Sequence, residues 1–302
     1  MKVENLSKKI ENRLIIDDIS FQLKKGQIVG LIGRNGEGKT TLFRLLANHY
    51  NKSGGNIFID EENIDRHREL YSEVFYLDGQ YQSLHGMTPK AINKMYKELY
   101  PNFNSERFIS LVETHHLPMG KTYRTYSKGM QGLLVIILAL CSEASYILLD
   151  EPLDGLDFYV KKQALQLMLT EVAENEKCLL ISSHNLLELE FIIDRALIIK
   201  KGQLVQDYLL DDMKSAMTKV QMIFPKSIIP DDVLENCQII EQRGKVVVGL
   251  FTNLTSEMRE HILTYNPILF ESLPLSLEDL VATQVLDNQE LGNQPEEAMR
   301  HE

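Results

Sequence analysis

The chain has few cysteines, no long apolar run and a shortage of basic charge, and each deficit excludes something. Only Cys141, Cys178 and Cys237 occur, widely separated, with neither a metal-ligand spacing nor a disulfide framework. Cys141 and Cys178 sit in apolar runs and read as buried, inert thiols. His49, His67, His85, His115 and His116 show no metal spacing either. No apolar stretch approaches the roughly 18–20 uncharged residues that a membrane span needs. The longest, GLLVIILALC at 132–141, reads as a buried helix. The opening MKVENLSKKIENR lacks the apolar centre of a secretory signal, so a cytoplasmic setting is expected. Lys and Arg number 32 against 43 Asp and Glu, a net charge of −11, which argues against a nucleic-acid partner. No internal repeat is evident.

What is present is the profile of a globular protein, 44% hydrophobic and 25% charged over 302 residues, enough for one large or two ordinary domains. The short runs IVGLI (28–32), YILLD (146–150) and CLLISS (178–183) suit strands buried on both faces of a parallel sheet. Helical patterns follow them at 39–49, 157–173 and 185–193, an α/β layout. Residues 88–142 read mainly as helix, punctuated by Pro89, Pro101 and Pro118, which suggests an inserted helical subdomain in which the Tyr-rich NKMYKELYPNF packs. After the hairpin pattern ALIIKKGQLVQD the character changes. The expected organisation is a domain over 1–215, a small α+β domain over 216–287, and a polar, acidic, disordered tail over 288–302.

The stretch GLIGRNGEGKTT (30–41) concentrates four glycines and a lysine between a strand pattern and a helix pattern. Gly33-x-x-x-x-Gly38-Lys39-Thr40 fits the phosphate-binding P-loop in its confirming strand–loop–helix context. Small residues let successive backbone N–H groups wrap phosphates, and the helix N-terminus adds favourable partial charge. Gly33, Asn35, Gly36, Gly38, Lys39, Thr40 and Thr41 are therefore the expected nucleotide-binding residues. Lys39 reaches the β/γ phosphates in this reading, and Thr40 ligates Mg²⁺. SYILLDEP supplies the matching acids at a strand end: Asp150 to hold Mg²⁺ and Glu151 to polarise the attacking water.

From this point the sequence resembles the ATP-binding-cassette (ABC) family over about residues 1–205. YSKGMQG (126–132) resembles its signature motif in the SKGM form, LDGLD (153–157) its D-loop, and ISSHNLLELE places His184 at the switch-histidine position. The resemblance implies an α/β P-loop NTPase fold with a parallel core sheet, an antiparallel β subdomain and an inserted helical subdomain, followed here by a small C-terminal α+β domain. It implies two cassettes packed head to tail, homodimer or related heterodimer, with each ATP between one P-loop and the other chain's signature. Ser127 and the backbone of Gly129 would then face the γ-phosphate across the interface, His184 would contact it in its own chain, and Asp157 would link the two sites. Lys128 either adds positive charge there or faces solvent. The family's adenine-stacking aromatic falls by position at Ile10, which implies weakened base selectivity. Its Q-loop glutamine falls on Gly79; Gln80 is adjacent and Gln82 near, and Gln80 is the favoured Mg²⁺-binding and coupling residue. Tyr126 and Met130 replace the usual Leu and Gln, with packing expected to change more than chemistry.

SKGM, LYPNF and a C-terminal extension ending PLSLEDL resemble bacterial exporters of the ABC-2, YtrB-like kind. The implied activity is ATP hydrolysis coupled to transport of peptide, antibiotic or lipid cargo. The implied partner is a separately encoded polytopic membrane subunit, with this chain peripheral on the inner face of the membrane. The alternative is a soluble, non-transport ABC ATPase acting on ribosomes, DNA or cluster assembly. A scaffold without activity fits poorly with intact Lys39, Asp150, Glu151 and His184.

Overall fold

A computed structural model describes residues 1–77, 82–225 and 228–285. The chain divides into two compact units, Met1–Leu209 and Leu210–Glu302. The first opens with strands β1 (Lys2–Ile10), β2 (Arg13–Gln22) and β3 (Gln27–Ile32), then helix α1 (Lys39–Leu46) and strands β4 (Gly54–Ile59), β5 (Glu62–Asn63) and β6 (Val74–Leu77). Helices α2 (Pro89–Leu99), α3 (Ser105–Thr114) and α4 (Lys128–Leu140) follow. The unit closes with β7 (Tyr146–Asp150), α5 (Phe158–Asn175), β8 (Cys178–Ser183), α6 (Leu186–Leu189), β9 (Arg195–Lys200) and β10 (Gln203–Leu209).

Two sheets form. One is antiparallel, in the order β2-β1-β4-β5; the other runs β10-β9-β3-β8-β7-β6, parallel except for β10. The all-apolar runs occupy the centre of the second sheet, where both faces are covered. Helix α1 shares one core with both sheets: Leu42, Phe43 and Leu46 cluster with Val3, Leu6 and Ile57 and with Val29, Leu148 and Leu180. The cysteines of this unit, Cys141 and Cys178, are free and buried, and burial pushes both thiols up to about 12, far from reactive. Helix α4 is buried without interruption from Leu133 to Leu140, as suits an apolar run with no polar face. The aromatics of the helical region do pack together, Tyr96 against Tyr100 and Phe103, with Phe75 of β6 alongside.

Two helices are shorter than their patterns suggest, each for a local reason. The helix expected over 39–49 ends at Leu46 because Asn48 takes a left-handed φ of 56° and the Arg44 carbonyl accepts from the His49 and Tyr50 N–H groups. The helix expected over 185–193 is only the turn α6. The N–H groups of Ile192 and Ile193 both turn back on the Leu189 carbonyl. Asp194 is then tied twice to Ile28, its N–H donating to the Ile28 carbonyl and its carboxylate accepting from the Ile28 N–H, each at 2.8 Å. That double tie starts β9 beside β3 and leaves no length for further helix. The β9–β10 hairpin turns on Lys201 and Gly202, at φ 49° and 79°, the pair that a two-residue turn of the strand-matching hand requires. A Cβ on Gly202 would stand 2.2 Å from the Ile15 carbonyl oxygen, so only glycine fits.

The second unit contains α7 (Leu210–Ala216), β11 (Met217–Ile223), α8 (Asp231–Asn236), β12 (Cys237–Arg243), β13 (Val246–Thr252), α9 (Ser256–Thr264), β14 (Leu269–Leu273) and α10 (Leu277–Val285). Its antiparallel sheet runs β12-β13-β11-β14, and Val220, Met222, Val233, Phe251 and Ile262 build its core. Residues 288–302 lie outside the described residues. Within this core a Cβ on Gly249 would lie 2.1 Å from Cys237 Sγ. Gly249→Ala is expected to destabilise the protein by about 1–3 kcal/mol through overpacking. Urea unfolding in a double-mutant cycle with Cys237→Ala should return a favourable coupling above about 0.5 kcal/mol; additive effects would show that the sulfur does not set the limit.

Candidate functional site

Strands β3, β8 and β7 lie side by side and parallel, with Ile32 opposite Ser183 and Asp150 opposite Ser182. Their carboxyl ends therefore open on one edge of the sheet, the place where α/β sheets present ligand-binding loops. Residues 33–38 leave β3 there, Glu151 leaves β7 and His184 leaves β8.

The glycine loop is shaped by what surrounds it. A Cβ on Gly33 would meet the Ile199 carbonyl oxygen at 2.7 Å, so the loop leaves the sheet in close contact with β9. Gly36 is left-handed (φ 87°) with open space where a Cβ would stand, and Gly38 caps α1 at φ 105°. Asn35 is exposed on the loop, and Thr41 is half-buried in the first turn of α1. Lys39 is 6% exposed, and its Nζ donates to the carbonyls of Gly33 (2.7 Å) and Arg34 (3.2 Å), spanning the loop. Burial lowers the Lys39 pKa, opposed by the negative charges of Glu151, Asp150 and Glu37. The Glu37 carboxylate itself accepts from the Lys201 N–H, which anchors the loop to the β9–β10 turn.

A continuous polar chain crosses the strand ends. Thr40 Oγ1 donates to Asp150 Oδ2 at 2.7 Å, and Ser182 Oγ donates to Asp150 Oδ1 at 2.5 Å. The same Ser182 hydroxyl accepts from the Glu151 N–H at 3.0 Å. His184 Nδ1 stands 3.1 Å from Glu151 Oε2. Glu151 has a left-handed φ of 50°, a conformation costing a side-chain-bearing residue roughly 1–2 kcal/mol, and its bond to Ser182 holds it there. Ser182 is fully buried and was invisible to motif reading. The one signal in the sequence is the pair of hydroxyls, Ser182 and Ser183, that ends the otherwise apolar β8; Ser183 is taken up locally, bonded to the Asn185 backbone, and Ser182 faces Asp150.

Ser127, Gly129 and Asp157 form a second group. Ser127 caps α4, its hydroxyl oxygen accepting from the Met130 N–H at 3.2 Å, which leaves its O–H able to donate elsewhere. Asp157 caps α5, accepting from the N–H groups of Tyr159 and Val160 at 3.0 Å. A Cβ on Gly129 would lie 3.6 Å from Asp157 Oδ2, and one on Gly132 would strike Leu156 at 2.7 Å, so small residues let the two helix starts approach. Tyr126 is buried with its hydroxyl on the Pro118 carbonyl, and Lys128 is exposed. Ile10 is 37% exposed beside the β1–β2 turn, across from Arg13. Gln80 lies outside the described residues, as does Gly79.

The donor set fits a phosphate chain with a hard divalent cation. Hard oxygens of one hydroxyl and one carboxylate converge at 2.7 Å, the sparse protein contribution with which Mg²⁺ is usually held together with phosphates. A buried ammonium held by loop carbonyls sits in the same cradle, beside a left-handed glycine with room around it.

The sequence pattern of the family described as "ABC transporter" matches residues 16–154. The chain is 30% identical over 280 residues, 93% of its length and 96% of the relative's, to the ABC transporter ATP-binding protein YtrB of Bacillus subtilis (strain 168). It is 28% identical to the lipopolysaccharide export system ATP-binding protein LptB of Haemophilus influenzae (strain ATCC 51907 / DSM 11121 / KW20 / Rd), over 68% of this chain and 88% of that one. Among solved structures, the dimeric ATP-binding cassette MJ0796 bound to ADP and Pi shares the fold, with a TM-score of 0.61 at 19% identity, covering 69% of this chain and 98% of that one.

Two outcomes follow from the polar chain and the loop. Ser182→Ala removes the hydroxyl that orients both Asp150 and the Glu151 backbone, and should lower ATP turnover by roughly 10–100-fold with the fold intact; an unchanged steady-state rate would assign Ser182 to packing alone. Nucleotide affinity should hold while Lys39 is protonated and fall as pH rises through its pKa, which burial places below the ordinary 10.5. Fluorescent-nucleotide titrations from neutral to alkaline pH measure this, and Lys39→Arg should remove the alkaline limb.

Proposed function

We propose that this chain, which belongs to the ABC transporter family of ATP-binding proteins, hydrolyses ATP as one half of a head-to-tail cassette dimer and drives a separately encoded polytopic membrane subunit in export. The observation that carries the reading is the chain of bonds Thr40–Asp150–Ser182–Glu151–His184 at the mouth of the glycine loop.

In this reading the loop N–H groups and Lys39 bind the ATP phosphates, the ammonium exchanging carbonyl oxygens for phosphate oxygens of greater charge. Thr40 and Asp150 hold Mg²⁺, and Gln80 joins them. Bound Mg²⁺ supplies neutralisation of the charge that develops on the transferring phosphoryl group. Glu151 accepts a hydrogen bond from the attacking water and aims it, while His184 fixes the Glu151 carboxylate and reaches toward the γ-phosphate. Ser127 and the Gly129 N–H, at a helix N-terminus with no acidic residue in its first turn, face the nucleotide of the second cassette, and Asp157 couples the two sites. The dimeric state of the MJ0796 cassette supports the pairing, and the export role in LptB's name supports the direction.

Residues 1–215 would form the cassette, 88–142 its helical subdomain, and 216–287 an accessory domain that regulates or stabilises the dimer. Among the described residues no helix is long and apolar enough to cross a membrane. The membrane partner would supply the crossing, with this chain on the inner membrane face and cargo of peptide, antibiotic or lipid chemistry.

Glu151→Gln should keep ATP binding and cut hydrolysis by at least about 10²-fold, because it removes the carboxylate that orients water. The same variant, locked with ATP and recovered from membranes in mild detergent, should carry a stoichiometric polytopic membrane protein identifiable by mass spectrometry. Near-normal turnover would refute the role of Glu151. Recovery with ribosomal or DNA-associated proteins alone would refute the transport role.

A further inference from the structure

Away from the nucleotide site, four charged side chains meet inside the first unit. Glu171 of α5 is fully buried. Arg107 of α3 grips it with two prongs, Nη1 donating to Oε1 at 3.1 Å and Nη2 to Oε2. Lys177, between α5 and β8, stands 2.7 Å from Glu171 Oε1. It also donates to the Leu140 carbonyl at the end of α4 (3.1 Å) and to Glu143 Oε2 (3.0 Å). Glu143 lies 3.8 Å from Arg107 Nη1 and closes the ring. Burial by itself would raise the Glu171 carboxyl pKa, but the bonds from Arg107 and Lys177 outweigh it and hold the group ionised.

The cluster gathers the far ends of the elements that carry the candidate site. Helix α4 meets it at Leu140 and begins at Ser127; α5 meets it at Glu171 and is capped by Asp157; β8 begins beside Lys177 and ends just before His184. The Asn104 N–H, at the cap of α3, donates to the Cys141 carbonyl at 2.9 Å and fastens α3 to the same point. An ion cluster built around a buried carboxylate contributes little net stability, since desolvation offsets most of the attraction. What it does contribute is direction: the guanidinium fork is satisfied in one orientation, whereas an apolar contact can slide.

We propose that the Arg107–Glu171–Lys177–Glu143 cluster is a positioning device for the ATPase, fixing α3 and α4 on α5 and β8 and so setting the angle at which Ser127 and Gly129 are offered to the second cassette. The inference rests on the head-to-tail reading. Arg107 and Glu171 touch no nucleotide in this scheme, so loss of the fork leaves binding to a single chain intact while pairing fails.

The test uses the full-length chain with Glu151→Gln as parent. Arg107→Lys keeps the charge and removes the fork. ATP affinity is measured at protein concentrations that keep the parent monomeric, ATP-driven dimerisation by analytical ultracentrifugation, and folding by thermal denaturation. The expected result is an unchanged monomer affinity with dimerisation weakened by about 10–100-fold, the scale of a small misplacement of reacting groups. Glu171→Asp, which keeps both charges on a shorter arm, should behave alike and serves if Arg107→Lys does not fold. Dimerisation equal to the parent's in a folded variant, or lost only in step with monomer affinity, overturns the proposal. A parent that binds ATP yet never dimerises overturns the head-to-tail reading itself, and the positioning role with it.

Discussion

Where β7, β8 and β3 lie in parallel register, Asp150 stands opposite Ser182 and Ile32 opposite Ser183, and the bonded run Thr40–Asp150–Ser182–Glu151 at the strand ends follows from that alignment. A slip of one residue would turn the Ser182 side chain to the other face and separate it from Asp150. The register is enforced from both sides, since all six residues of β8 are buried and the β7 run is buried up to Asp150. The apolar strands thus act as a ruler that delivers three polar groups to one edge at one height.

In the proposed function, helix α1 makes that edge an anion site. Its buried face joins both sheets in one core, so its N-terminus cannot tilt away from the strand ends. The first turn carries no acidic residue that would spend the helix's positive end on its own chain. Lys39 is buried at the same point, where a cation is costly unless surrounded by oxygen, and the loop carbonyls supply that oxygen within the protein. An ammonium held in this way is available to phosphate without reorganising the fold.

Much of this architecture is legible in the sequence. Strand runs such as YILLD and CLLISS coincide with β7 and β8, and the glycine loop lies between β3 and α1. Those features are local: an apolar run of strand length, or glycines before a helix, carries its meaning within a dozen residues. The short α6 was not legible, because what ends it is the pairing of Asp194 with Ile28, 166 residues away. Ser182 was not legible as a site residue, because a serine in a strand acquires its role only from its neighbour across the sheet. The second unit shows the same limit at Gly249, whose lack of a side chain answers the sulfur of Cys237 on the adjacent strand.

The sequence by itself determined the class of fold, the family, and the places of the glycine loop and of the Asp150–Glu151 pair at a strand end, because each depends on residue type and short spacing. Tertiary structure alone decided that Thr40, Asp150, Ser182, Glu151 and His184 form one bonded chain, that Glu37 turns from the loop to the β9–β10 turn, and that Arg107, Glu143 and Lys177 gather around the buried Glu171. A charged residue reads as solvent-facing until the fold removes the solvent. Only then does its partner, chosen by geometry across many residues of chain, determine whether the charge is a liability or a clamp.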